Sequence, residues 1–305
     1  MTASAAETGL LAARRPVVVL LSGGRDSVCL LDVAVTLAGR DVVTVLHVNY
    51  GLRDEAGHDA ELCASLCARL EVQLTVEEVR RPPDTSGNLQ AWARDVRYAA
   101  GARLAEAAGG VLAAGHTATD QVETVLYRLA TSPGRRALLG MPAESGRLVR
   151  PLLGVTREQT AAYCAARGLA WREDASNESD AYARNRVRNG LVPALEQVDS
   201  RASANVLRTT ELLRDEAEVL DTVVETALAG RDQVAIAHLA EVPRALARLI
   251  VRRLAEKATG EPCPRAPGRL SEILELKDGA LDVGDGARVV VRDGVLRVER
   301  TPALG

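Results

Sequence analysis

The sequence predicts an α/β protein, a doubly wound parallel sheet followed by a smaller, mainly helical domain that ends in strands. Three observations predict it. Short β-branched runs alternate with helix-length amphipathic segments from about residue 16 to 198, the order that builds strand–helix–strand units. The strand-like runs are continuous rather than alternating, as strands covered on both faces are. Beyond about residue 199 the pattern changes to long amphipathic helices and then to strand runs around a tight turn.

Residues 1–15 read as a short mobile tail. Val17–Leu21 is a β-branched and leucine run typical of a buried strand. A glycine loop follows, then a helix over Ser27–Leu37 closed by Gly39. Val42–Val48 is a second strand, Glu55–Leu70 a helix and Val72–Val79 a third strand. After Pro82-Pro83 the pattern predicts a long helix over Asn88–Ala108, a strand over Val111–Gly115 and a helix over Thr119–Ala130. Arg128–Arg150 reads as a Gly/Pro/Arg-rich connection. Thr156 and Gln159 form a capping-box pair that opens a helix ending before Gly168. Trp171–Asn189 is irregular, then helical. Arg201–Ala229 and Pro243–Lys257 are amphipathic helices. Asp293-Gly294 marks a two-residue hairpin turn between Val289–Arg292 and Val295–Val298. A domain boundary is expected near 198–202, dividing residues 16–198 from 199–305.

Composition narrows the class. Of the 305 residues 47% are hydrophobic but only 2% aromatic, so the core must be built from Val, Leu and Ala. Net charge is −3, which argues against a basic nucleic-acid coat while leaving local basic clusters open. Cys29, Cys63, Cys67, Cys164 and Cys263 are scattered and odd in number, unlike a disulfide framework, and read as structural. No apolar run reaches the ~20 residues of a membrane span, and the N-terminus lacks a signal-peptide pattern. The expected compartment is therefore the cytoplasm, without a membrane partner.

Ligands of such sheets bind beyond the carboxyl ends of the strands. Three polar segments fall there: the glycine loop, His47-Val48-Asn49 and Gly115-His116. The loop reads Ser22-Gly23-Gly24-Arg25-Asp26-Ser27. Its glycines allow close approach of backbone N–H groups to phosphates, and the helix that follows adds a partial positive charge. Ser22 and Ser27 can donate hydrogen bonds. No Lys-Ser/Thr pair follows the glycines, so this is not a Walker A loop. An anion such as Asp26 among phosphates makes sense if it holds Mg²⁺ or positions the nucleotide.

This hexapeptide resembles the PP-loop of the N-type ATP pyrophosphatases, the adenine nucleotide alpha hydrolase-like fold. The resemblance implies cleavage of ATP between its α and β phosphates, with AMP passed to a carbonyl oxygen. Further segments are similar to one family, the tRNA(Ile)-lysidine synthases, in its short form. They are Leu46–Arg53, Asn88–Tyr98 with its Arg94-x-x-Arg97-Tyr98, Gly115–Thr124 with His116, Asp120, Gln121 and Glu123, Arg150–Leu153, and Trp171–Asn177 followed by Tyr182–Arg188. The matches run in order from about residue 16 to 196. Thr119 departs from the paired aspartates common in the family, and Tyr50 stands where many members have His.

The resemblance implies ligation of L-lysine to C2 of the wobble cytidine in tRNA(Ile) with a CAU anticodon, through an adenylated base, with ATP and Mg²⁺ consumed or used. On it, Ser22, Gly23, Gly24, Arg25, Asp26 and Ser27 bind the nucleotide, and His47 and Asn49 lie where adenosine passes over the second strand. Asp26 is the metal candidate. Asp26, His116, Asp120 and Arg184 are the catalytic candidates, and Asp120 is a candidate for the lysine ammonium or Mg²⁺. Arg94, Arg97, Asp120, Glu123, Asp174, Arg184 and Asn185 are the substrate-binding candidates. Several stay open on the residues alone: Arg94 and Arg97 fit solvation beside Asp95 as well as substrate contact, and Glu123 fits a salt-bridged face equally. His116 fits either a strand-end hydrogen bond or a contact to phosphate or cytosine. Arg135-Arg136, Arg184, Arg186, Arg188 and the Arg244, Arg248, Arg252 stripe are candidates for RNA phosphates. Residues 199–305 are expected to form the tRNA-binding substrate domain, and homodimer formation is left open. The alternatives are a PP-loop tRNA thiolase and a non-catalytic, nucleotide-dependent RNA-binding module.

Overall fold

The alternating runs build one twisted sheet with helices on both faces. In the computed structural model, residues 1–51, 56–81, 89–132, 134–172 and 183–302 are described. The strands are β1 (Val17–Leu20), β2 (Val43–Asn49), β3 (Gln73–Glu78), β4 (Val111–Ala113), β5 (Glu144–Ser145) and β6 (Leu148–Val149). They lie in the order β3-β2-β1-β4-β6-β5, all parallel except β5, which pairs antiparallel with β6. The order reverses between β1 and β4, and a crevice at that point is where such sheets take ligands.

Side-chain alternation explains the two layers. Val17, Val19, Val45, Val111 and Ala113 join one buried cluster; Val18, Leu20, Leu46, Leu112 and Ala114 join another. The helices are α1 (Thr2–Glu7), α2 (Arg25–Ala38), α3 (Ala56–Leu70), α4 (Leu89–Ala107), α5 (Ala118–Thr131), α6 (Arg135–Leu138) and α7 (Arg157–Ala166). Leu30 and Leu31 of α2, Cys63 and Leu66 of α3 and Cys164 of α7 fill the first cluster, whereas Ala100 and Ala105 of α4 fill the second.

Two expectations for this part need correction. Residues 1–15 are not a loose tail: α1 forms, and Ala5, Leu10 and Leu11 are buried in the first cluster. Six helical residues and a short apolar pair are too brief to show periodicity in the sequence. Likewise the 128–150 connection holds α6 and the β5–β6 hairpin, whose strands have two residues each.

A helical stretch follows: α8 (Ala183–Arg186), a π-helical turn at Val187–Leu191 and α9 (Val192–Val198). The chain then enters α10 (Ala202–Leu228). Compact units divide at Met1–Leu213 and Arg214–Gly305, inside α10 rather than at the composition change near 199. The second unit has its own core. Helices α11 (Ile236–Glu241), α12 (Arg244–Thr259) and α13 (Leu270–Glu275) accompany a four-stranded antiparallel sheet. Its strands are β7 (Gln233–Ala235), β8 (Gly279–Gly284), β9 (Ala287–Arg292) and β10 (Val295–Arg300), in the order β7-β10-β9-β8. Ile250, Leu254, Leu270, Val289, Val291 and Leu296 are buried there. The β9–β10 turn is at Asp293-Gly294, both with positive φ (51° and 73°), as the two-residue hairpin requires. The strands expected from Leu281 to Val298, with their hairpin at Asp293-Gly294, make up three of the four strands of this sheet. Among the described residues no helix is long and apolar enough to cross a membrane.

Candidate active site

The glycine loop leaves β1 and enters α2 on one side of the sheet's reversal point. Gly23 has φ +82°, a conformation that side chains other than glycine rarely adopt. Gly24 caps α2, so the free N–H groups of its first turn face the loop. Ser27 Oγ donates to the Gly24 carbonyl (2.8 Å) and accepts from the Ser22 N–H (3.1 Å). The Ser22 and Ser27 hydroxyls lie 3.1 Å apart, and the Gly24 N–H donates to Ser22 Oγ at 3.4 Å. The Arg172 N–H donates to the Gly23 carbonyl (3.0 Å), which fixes the loop from outside. On the other side of the reversal point, Gly115 follows β4. A Cβ there would stand 2.9 Å from the Asp26 carbonyl oxygen, so this glycine is what lets the β4 end close on the loop.

Asp26 points into a charge network. Its Oδ1 accepts from Thr160 Oγ1 (2.5 Å), and its Oδ2 is 3.5 Å from Arg157 Nε. Arg25 Nε is 3.6 Å from Asp26 Oδ1. Arg157 continues outward: Nη2 is 3.2 Å from Asp120 Oδ1 and Nη1 is 3.5 Å from Glu123 Oε1. Arg184 reaches the same carboxylates, Asp120 at 2.9 Å and Glu123 at 3.0 Å. Arg188 Nε donates to Glu123 Oε1 at 2.6 Å and its Nη2 to Oε2 at 3.2 Å. Glu123 is fully buried.

Local sequence explains the arrangement. Thr117 caps α5 in a box with Asp120, whose Oδ2 accepts from the Thr117 N–H (2.8 Å) and Oγ1 (2.9 Å). That leaves Oδ1 for the arginines. Glu123 follows at three residues and shares the face. Thr156 and Gln159 cap α7, which sets Arg157 at its first position. The Arg157 N–H donates to Thr119 Oγ1 (3.1 Å), so this hydroxyl anchors α7 to α5. Arg184 and Arg188 straddle the start of the π turn at Val187, a distortion frequent at functional sites.

The pKa shifts follow from these contacts. Burial pushes Asp120 up, but Arg184, Arg157 and the Thr117 N–H outweigh it and hold the carboxyl below its ordinary range. His116 is pushed down to about 3, chiefly by burial; Asp120 opposes this, and Arg94, Arg150 and Arg184 add to it. Its imidazole is therefore neutral at pH 7. Nε2 lies 3.4 Å from the Tyr98 hydroxyl, and Nδ1 is buried without a hydrogen-bond partner among the described residues.

The structure thus brings Asp26, His116, Asp120, Glu123 and Arg184 into one neighbourhood. Arg94 and Arg97 are stacked near the Tyr98 ring, with guanidinium carbons 4.6 and 5.9 Å from its centroid, rather than paired with Asp95. His47 lies inside the sheet layer, its Nδ1 2.9 Å from the Leu21 carbonyl and 3.5 Å from Cys63 Sγ. Asn49 Oδ1 accepts from the Gly51 N–H (2.9 Å) at the end of β2. Asn185 is buried beside the network. Asp174 lies outside the described residues. Arg135 Nη1 donates to the Leu213 carbonyl (3.3 Å), and in the second unit Arg244 donates to Ser271 (2.9 Å). All five cysteines are buried and unpaired, as expected of structural thiols.

Sequence reasoning missed Arg157 and Thr160. A signal existed: a cation at the first position of a helix opposes the helix dipole and calls for a local anion.

A serine–glycine loop at the reversal point of a doubly wound sheet defines an ATP-binding PP-loop protein, and the model of the PP-loop domain family matches residues 3–195. A U34-tRNA thiolase from Methanococcus maripaludis shares the fold, with a TM-score of 0.58 and 15% identity over 70% of this chain and 77% of that one. Closer likeness lies in sequence. The tRNA(Ile)-lysidine synthase of Symbiobacterium thermophilum is 37% identical over 97% of this chain and 68% of its own length. That of Thermus thermophilus is 38% identical over 91% of this chain and 56% of its own length. The chain belongs to the tRNA(Ile)-lysidine synthase family. It spans between about half and two thirds of the length of these relatives.

Proposed function

We propose that this chain ligates L-lysine to C2 of the wobble cytidine of tRNA(Ile) with a CAU anticodon, releasing AMP and pyrophosphate. The observation that carries the reading is the continuity from the PP-loop to the buried carboxylates: Arg157 touches Asp26 on one side and Asp120 and Glu123 on the other. This continuity supports a reading in which the nucleotide and a cationic co-substrate bind on the two sides of the Arg157 guanidinium.

ATP supplies the adenylyl group and the pyrophosphate leaving group. The residues present fit it: a positive-φ glycine, the N-terminus of α2, two loop hydroxyls, and the Arg25 and Arg157 guanidiniums form a donor set for phosphate oxygens. Ser22, Gly23, Gly24 and Ser27 hold the pyrophosphate portion. Asp26 serves Mg²⁺ or orients the nucleotide; one carboxylate plus phosphate oxygens is an ordinary Mg²⁺ environment. Asp120 and Glu123 receive the lysine ammonium, whose charge replaces that of a guanidinium in the resting network. Neutral His116 offers a hydrogen bond to the flipped base or its phosphate. Arg184 spans both carboxylates and lies where charge develops during transfer.

Sulfur chemistry at Cys63 and Cys67 fits poorly. Burial pushes the Cys63 and Cys67 thiols up to about 12 and about 11, so neither is a ready thiolate.

The deciding assay is incorporation of labelled lysine into isoleucine tRNA bearing a CAU anticodon, with ATP and Mg²⁺. Lysine- and ATP-dependent labelling, absent with methionine tRNA, is the expected result. A protein that binds ATP and tRNA but incorporates no lysine would refute the proposal.

A further inference from the structure

The network around Glu123 balances its arginines with carboxylates. A second arginine group, beside His116, is not balanced in this way. Arg94 and Arg97 rise from α4 toward Tyr98. Arg128 of α5 donates Nη1 to the Gly140 carbonyl (2.7 Å), and Arg150, after β6, donates Nη1 to the Pro142 carbonyl (2.7 Å). None of the four has a carboxylate within ion-pair distance among the described residues, whereas Arg157, Arg184 and Arg188 each have at least one.

Arg94, Arg128 and Arg150 are close enough to feel one another, and Arg97 shares the Tyr98 ring with Arg94. Burial first, and then Arg94, lower the Arg128 pKa; burial again, with Arg94 and Arg128, lowers that of Arg150. Holding like charges together at partly buried positions is unfavourable without a counter-ion. Unmet polar atoms accompany the charge: the donors Arg97 Nε and Arg150 Nε, and His116 Nδ1, whose role follows the tautomer, are buried without a hydrogen-bond partner among the described residues. Buried donors are normally satisfied, so two orphaned guanidinium donors beside uncompensated charge mark a place for an oxyanion. The guanidinium fork matches phosphate geometry.

The nucleotide's own phosphates have a separate donor set. The PP-loop and α2 lie with the sheet face that packs Val17 and Val19, whereas α4 packs on the opposite face with Val18 and Leu20. We propose that Arg94, Arg97, Arg128 and Arg150, gathered around Tyr98 and His116, form a pocket for a backbone phosphodiester of the bound RNA strand. The pocket rests on the reading of this chain as one that acts on tRNA. It places the strand on the α4 side of His116, with the carboxylate network on the other.

The test is the salt dependence of binding between the full chain and an anticodon stem–loop of isoleucine tRNA. The Arg94→Gln/Arg128→Gln protein is compared with wild type and with Arg94→Lys/Arg128→Lys, with ATP affinity measured in parallel without RNA. Loss of one phosphate contact lowers the slope of log K against log salt by about 0.7 to 1. The glutamine pair is expected to show that loss and roughly tenfold weaker binding near physiological salt. The lysine pair is expected to keep the slope, and ATP affinity to stay unchanged in all three. Arg97→Gln, at a side chain whose Nε has no hydrogen-bond partner among the described residues, is the second variant should the double substitution fail to fold. An unchanged slope in a folded glutamine variant overturns the proposal, as does absence of RNA binding by wild type. Loss of ATP affinity with an intact RNA slope also overturns it, by assigning the pocket to the nucleotide. A reduced slope in a chain that incorporates no lysine keeps the pocket and refutes only the ligase reading.

Discussion

Glu123→Gln isolates the energetic core of the network. Glu123 is fully buried and accepts from Arg184 Nε at 3.0 Å and from Arg188 Nε and Nη2 at 2.6 and 3.2 Å, with Arg157 Nη1 at 3.5 Å. Glutamine keeps the shape but removes the charge, and it turns an NH₂ group toward a guanidinium that is itself only a donor. Breaking a buried ion pair from one side costs about 3–5 kcal/mol. The Arg184 and Arg188 side chains remain 39% and 22% exposed, so water can recover part of that. An expected loss is therefore roughly 2–4 kcal/mol. For a unit of this size that is a fall in Tm of about 5–15 °C. Thermal unfolding with urea titration measures it, and an unchanged m-value shows that stability rather than compactness moved. A double-mutant cycle sharpens the result. Arg188→Met in the Glu123→Gln background should cost at least about 1 kcal/mol less than in wild type, because its partner is already lost. A fall in Tm below about 2 °C, or a rise, would refute the claim that these arginines depend on Glu123.

Other perturbations read different parts of the site. His116 has a folded pKa near 3 against an ordinary value of 6.5, so the unfolded chain binds more protons between those values and stability falls as pH falls. Wild type should lose about 2 kcal/mol more than His116→Gln between pH 7 and pH 5, by urea unfolding at both; Asp120, held below its ordinary range, adds its own loss only further into acid. Gly115→Ala would set a Cβ 2.9 Å from the Asp26 carbonyl oxygen and 3.1 Å from the Ser27 nitrogen, forcing the PP-loop to shift. Calorimetry should show ATP binding at least tenfold weaker and a stability loss of about 1–3 kcal/mol, and unchanged values for both would contradict the close approach. Thr119→Val removes the acceptor for the Arg157 N–H and should cost about 1 kcal/mol in denaturant unfolding, with Thr119→Ser restoring it; equal losses in both variants would show that the hydroxyl is not the cause.

Legibility followed length and periodicity. The β1 and β2 runs, α2, α5 and α7 were readable because each is long enough to show a period or carries a cap, as Thr117 and Thr156 do. The β5–β6 hairpin and α1 were not, being too short for any pattern. Sequence order also placed the glycine loop and His116 at strand ends, and the fold puts those ends on either side of the reversal point. What the chain order could not show is which arginine meets which carboxylate. Arg157 and Asp120 are 37 residues apart, and Arg184 and Glu123 are 61 apart. Only the packing of α7 and α8 against α5 decides those pairs. The same limit left Arg94 open between solvation and substrate contact, whereas the structure pairs it with no carboxylate among the described residues and sets it 4.6 Å from the Tyr98 ring.

The two departures from the family pattern fall at joints between elements rather than at reacting groups. Thr119 removes a carboxylate from the site. Its hydroxyl instead caps the first residue of α7, and an uncharged acceptor suffices for one backbone N–H. A carboxylate there would add a fourth anion to Asp26, Asp120 and Glu123, around arginines that already balance the three. Tyr50 behaves similarly. Its hydroxyl donates to the Ala93 carbonyl (2.6 Å), and its ring meets Trp92 edge-on at 5.7 Å, so it joins the end of β2 to α4. That contact steadies the turn of α4 carrying Arg94 and Arg97. Both residues act by placing arginines, through a backbone group each time, and a hydroxyl meets that need without altering the charge of the cleft.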